Sequence, residues 1–89
     1  MGHRIELGEI EVNVNLIGGV NMAGCIYDRE KGKIVLFYTG DIEASDLVAI
    51  LKDKLPRYMI PNKVERLEKM PFTANGKLDR IALKRIYEE

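Results

Sequence analysis

The stretch Asn21-Met-Ala-Gly-Cys-Ile-Tyr-Asp-Arg-Glu-Lys-Gly-Lys-Ile-Val-Leu-Phe-Tyr-Thr39 decides how this chain folds. Its two ends, Asn21–Tyr27 and Lys33–Thr39, are dense in apolar, β-branched and aromatic residues. Between them, Asp28-Arg-Glu-Lys-Gly32 is polar and ends in glycine. Two apolar runs joined by a short polar loop predict a β-hairpin.

Upstream, Leu7, Ile10, Val14 and Ile17 follow helical spacing, while Ile10, Val12, Val14 and Leu16 alternate as a strand would. The acids Glu6, Glu9 and Glu11 suit a helix N-terminus, where the dipole favours negative charge. The reading adopted is a helix over about residues 8–17, stopped by Gly18-Gly19. Downstream, Ser45 is the expected N-cap of a helix that carries Leu47, Ile50, Leu51 and Leu55 on one face and ends at Pro56. The string Leu55-Pro-Arg-Tyr-Met-Ile-Pro61 reads as a rigid connector, with Tyr58, Met59 and Ile60 plugging the core. Lys63–Leu67 reads as a third strand. A terminal helix over Asp79–Tyr87 is expected to turn Ile81, Leu83 (or Ala82) and Ile86 inward. The fold class is therefore α+β, a small three-stranded sheet covered by helices, in one domain over residues 1–89.

Composition supports a single modest core. The chain has 89 residues, 46% hydrophobic and 31% charged. Basic and acidic residues number 14 each, and this neutrality argues against nucleic acid as a partner. Cys25 is the only cysteine, so no disulfide closes within the chain, and its apolar strand makes it a core residue. No apolar run reaches the roughly 20 residues of a membrane span, and no signal segment opens the chain. The expectation is a cytoplasmic setting with no membrane partner.

Chemistry concentrates in Pro71-Phe-Thr-Ala-Asn-Gly-Lys-Leu-Asp-Arg80. Asn75-Gly76 marks a turn: glycine takes positive φ without steric cost, and the Asn75 side chain can close the turn. Lys77 follows at once, a compact cation on a long stem that suits a phosphate or carboxylate held by another surface. A lone Asn-Gly-Lys is most often a solvated lysine after a turn. It is not a P-loop, since Pro71 and Leu78 stand where that motif needs Gly and Ser/Thr. Arg80 stands near the start of the last helix, where the dipole does not explain a cation; Lys84 and Arg85 need no more than the dipole. A second stretch, Gly2-His-Arg-Ile-Glu-Leu-Gly-Glu-Ile-Glu11, brackets alternating charged and apolar residues with two glycines. Read alone it is an amphipathic edge strand feeding a helix. His3 has no partner in sequence that would make it a base, and no metal-ligand spacing is present.

Taken in order, Gly2–Glu11, Leu55–Pro61 and Pro71–Arg80 resemble the last three core motifs of the adenylate-forming superfamily. The wording is most similar to the amino-acid-activating branch, found in nonribosomal peptide synthetases and D-alanine–carrier-protein ligases. The likeness spans essentially the whole chain and implies the family's small C-terminal lid domain. It implies that a large N-terminal domain holds ATP, Mg²⁺ and the carboxylic acid, and that Lys77 reaches into that cleft. There the lysine would bridge the substrate carboxylate and the α-phosphate region, stabilising charge as the acid attacks. Asn75, Gly76 and Arg80 would belong to the same nucleotide loop. After the lid rotates, Gly2, His3, Arg4, Glu6, Gly8 and Glu9 would face the active site and shape the tunnel for a phosphopantetheine thiol on a carrier protein, or for coenzyme A.

The family's hinge residue and its short hairpin arm would precede Gly2. The phosphate loop, adenine pocket and ribose-binding Asp would lie in the large domain. The expectation is thus an excised piece of an ATP-dependent ligase, or one part of an unusually split one, inactive alone. The alternative is a stand-alone, non-catalytic module that docks a carrier protein or a partner domain.

Overall fold

A computed structural model describes residues 6–89. Gly2, His3 and Arg4, where the edge strand feeding the first helix was expected, lie outside the described residues. The elements are α1 (Leu7–Asn15), β1 (Val20–Asp28), β2 (Lys33–Gly40), α2 (Ala44–Lys54), a 3₁₀ turn (Arg57–Met59), β3 (Lys63–Arg66) and α3 (Arg80–Glu88). The sheet has the three strands the sequence reading expected, in the order β1-β2-β3. β1 and β2 form the antiparallel hairpin, with Cys25 opposite Leu36 and Gly24 opposite Phe37. β2 and β3 run parallel, so α2 and the 3₁₀ turn form the crossover that parallel strands require.

Both faces of the sheet are covered, which is why β2 reads as an unbroken apolar run. On one face Ala23, Cys25, Ile34, Leu36 and Tyr38 pack against Ile10 and Val14 of α1 and Leu47 and Leu51 of α2. On the other, Ile26, Val35 and Phe37 pack against Leu83 of α3 and Met70, with Leu78 against them. The period-2 alternation of strand side chains separates the two cores, and each helix closes one of them. Complete burial of side chains such as Leu36 and Phe37 is worth about 1.5–3 kcal/mol apiece relative to exposure.

Three local expectations need correction. Ser45 does not cap α2. Glu43 is the last extended residue, and its carbonyl already accepts from Leu47 N–H at 3.0 Å, so Ser45 sits inside the first turn. Ile81 does not face inward; it is 70% exposed. Leu83 fixes the buried side of α3, and two residues at about 100° each carry Ile81 to the opposite side. In the connector Met59 is buried, whereas Tyr58 is 42% exposed and only its neighbours fill the interior.

Candidate functional site

The segment between Pro71 and Asp79 is a small hairpin. Thr73 N–H donates to the Lys77 carbonyl at 2.7 Å, and Gly76 N–H donates to the Thr73 carbonyl at 2.9 Å. Those two bonds enclose Ala74, Asn75 and Gly76 in a three-residue loop whose last position is left-handed, with Gly76 at φ +81°. Lys77 N–H donates to Thr73 Oγ1 at 3.2 Å. The Asn75 side chain, expected to close the turn, makes no hydrogen bond among the described residues; the Thr73 hydroxyl does that work. Phe72 and Leu78 form an antiparallel bridge, and Asp79 N–H donates to the Pro71 carbonyl at 3.0 Å.

Lys77 therefore leaves a hairpin whose backbone is bonded on both sides. Its side chain is exposed, and its ammonium forms no hydrogen bond or ion pair among the described residues. Leu78 and Asp79 anchor the hairpin to the body. Leu78 closes on β1 over Gly24, where an added Cβ would come within 2.8 Å of Leu78 Cδ2 and 3.0 Å of Leu83 Cδ1. Gly24 is thus the notch that admits Leu78. Asp79 caps α3, its Oδ1 accepting from Ala82 N–H at 3.0 Å.

Arg80 stays exposed and lies against the edge of β1. Its guanidinium donates to Glu11 Oε2 at 2.5 Å, to Glu11 Oε1 at 3.0 Å and to the Cys25 carbonyl at 2.6 Å. Glu11 Oε2 also accepts from Cys25 N–H at 2.7 Å. The hydrogen bond to Glu11 raises the Arg80 pKa above its ordinary value. Burial, followed by the Glu11 charge, pushes the Cys25 thiol up to about 12, so it stays protonated and unreactive. Sequence reasoning placed Arg80 beside Lys77 in a nucleotide loop. The structure gives its side chain partners within the chain, Glu11 and the Cys25 carbonyl, and Thr73, Leu78 and Gly24 emerge as residues that hold the loop. The sequence reading assigned Glu11 to the N-terminal dipole of α1 with Glu6 and Glu9, but the helix begins at Leu7, which puts Glu11 beyond the first turn, and its carboxylate goes to Arg80 and Cys25 instead.

Of the second stretch, Glu6 is the exposed N-cap residue of α1, and Gly8 and Glu9 are exposed in its first turn. A Cβ on Gly8 would meet nothing within 4 Å. Among the described residues no group of three or more His, Cys, Asp or Glu is placed to hold a metal, and no helix is long and apolar enough to cross a membrane.

No family model matches the chain. Individual relatives do. The chain is 39% identical over 93 residues to tyrocidine synthase 2 of Brevibacillus parabrevis, matching 99% of itself and 3% of that protein. It superposes on a four-domain nonribosomal peptide synthetase solved with AMP and glycine, at TM-score 0.80 and 40% identity, over 91% of this chain and 6% of the other. The chain belongs to the adenylate-forming superfamily, as a C-terminal subdomain. A second adenylate-forming structure, Klebsiella oxytoca NpsA in complex with 3-hydroxyanthranilyl-AMSN, agrees at TM-score 0.89 and 32% identity over 99% of this chain and 18% of that one. The chain spans less than a tenth of the length of curated relatives such as tyrocidine synthase 2.

Proposed function

We propose that this subdomain is the mobile lid of an ATP-dependent ligase that activates an amino acid, or another carboxylic acid, as its acyl-adenylate and passes it to a phosphopantetheine thiol. The observation that carries the reading is Lys77: an exposed ammonium, unpaired among the described residues, on a hairpin held by its own backbone hydrogen bonds and the Thr73 hydroxyl. Among the described residues a cation so placed has no task inside its own fold. Delivered to a carboxylate and an α-phosphate, it would offset the negative charge that develops as the acid attacks phosphorus.

In this reading a large partner domain holds ATP, Mg²⁺ and the acid. Asn75 and Gly76 form the loop that lifts Lys77 away from the body, and Gly76 supplies the left-handed backbone the loop demands. The first turn of α1 is the opposite working face. The bare surface at Gly8, with Glu6 and Glu9 beside it, suits close approach by a thin pantetheine arm from a carrier protein or coenzyme A. Gly2, His3 and Arg4 would continue that face.

The test is to split the two half-reactions in the protein that joins this subdomain to its large domain. Lys77→Ala is expected to lower ATP–pyrophosphate exchange by about a hundredfold or more, the scale for loss of one charge-stabilising group. Thioester formation from a supplied adenylate should continue. Exchange at the wild-type rate would overturn the reading.

A further inference from the structure

We infer that Glu11 is a positioning residue for Lys77, acting through Arg80 across the edge of the sheet. α1 lies over one face of the sheet and α3 over the other. Glu11 and Arg80 reach round the exposed edge of β1 and meet there. The contact is two-pronged, 2.5 and 3.0 Å, and both partners also bond to the backbone of Cys25. A bidentate pair fixes direction as well as distance. The Glu11 side chain is only 13% exposed, so its carboxylate is screened by little water on that side.

From Arg80 the chain runs back to Lys77 through two further fixed points. Asp79 is held by its cap to Ala82 and its bond to Pro71, and Leu78 is seated over Gly24. Lys77 is the first residue of this stretch whose side chain is free to reach outward among the described residues. Removing the charge at position 11 releases the guanidinium from one of its two anchors and lets the start of α3, with the hairpin ahead of it, shift. A catalytic group misplaced by about 1 Å loses up to a hundredfold in rate. Glu11 also stands one turn along α1 from Gly8, so the clamp makes the two working faces proposed above one rigid body.

This inference rests on the proposed reading of Lys77, and a double-mutant cycle separates the two. Glu11→Gln keeps the size of the side chain and an acceptor for Cys25 N–H, and removes the charge. In the protein carrying both domains it is expected to lower kcat for ATP–pyrophosphate exchange about tenfold, with KM for ATP within about twofold. In a Lys77→Ala background the same change should alter the residual exchange by less than about twofold, because the group it positions is gone. An equal loss in both backgrounds would show a general loss of folded protein and overturn the inference. If Lys77→Ala itself leaves exchange intact, the lid reading fails instead. A second measurement, on the 89-residue chain, holds in either case. Glu11→Gln should move the amide resonances of Gly76, Lys77 and Leu78, and unchanged resonances there would overturn the mechanical link.

Discussion

The Glu11 carboxylate and the Arg80 guanidinium meet at the outer edge of β1, and between them they satisfy both backbone groups of Cys25. An edge strand otherwise presents unpaired N–H and C=O groups to any passing strand. Here an ion pair covers the edge at its middle and links the helices of the two opposite faces.

The clamp should be visible as stability. Glu11→Ala leaves Arg80 without its carboxylate and Cys25 N–H without an acceptor, and is expected to cost about 1–3 kcal/mol in urea unfolding. Arg80→Ala should cost less, because the guanidinium side chain is 46% exposed and Glu11 keeps the Cys25 N–H as a donor. The double variant should fall short of the sum of the singles, as expected for two residues in direct contact.

Gly24 should tolerate nothing branched. An alanine there presses on the ends of Leu78 and Leu83, which can give way, so the expected cost is about 1 kcal/mol. Gly24→Val must displace both leucines, at about 1–3 kcal/mol, and should shift the Leu78 methyl resonances.

The hairpin tip is equally specific. Gly76 sits at φ +81°, so Gly76→Ala should destabilise the chain by about 1–2 kcal/mol, and Gly76→Asn by less, since asparagine tolerates the left-handed region. Thermal unfolding of the two variants measures the difference.

Acid should weaken the link between α3 and the β1–β2 loop. Tyr87 Oη donates to Asp28 Oδ2 at 2.6 Å, and Glu30 and Lys31 N–H groups donate to Oδ1. Led by the tyrosine bond, these contacts hold the Asp28 carboxyl below its ordinary value of 3.8. A lowered native pKa contributes stability above the unfolded value and loses it as pH falls through the native one. Tyr87→Phe should therefore unfold more easily than wild type at neutral pH, and the gap should narrow once pH drops below about 4.

Much of this architecture is legible in local pattern. The hairpin over residues 21–39, the helix ending at Pro56 and the strand at Lys63 all follow from periodicity and turn residues, because each is decided by neighbours in sequence. What pattern could not supply is what depends on meeting across the fold. Ile81 carries an apolar side chain, yet the phase of α3 is set by Leu83 docking on Phe37 and Val35, and the isoleucine is left outside. Ser45 is a good capping residue two positions too late. The lysine at the tip of the hairpin was legible because its turn is local. Arg80 was legible only as a cation near that tip, and its partner Glu11 lies 69 residues away.

The central claim is that the Lys77 amine is carried to a nucleotide held by another domain, and acylation footprinting of the two-domain protein tests it most directly. Amine labelling at Lys77 and Lys84, both exposed here, would be compared by mass spectrometry with and without ATP plus an unreactive alcohol analogue of the acid. The account predicts that the ligands protect Lys77 about tenfold or more, through contacts at hydrogen-bond distance, and leave Lys84 unchanged. Equal labelling of Lys77 in the presence and absence of the ligands would contradict it.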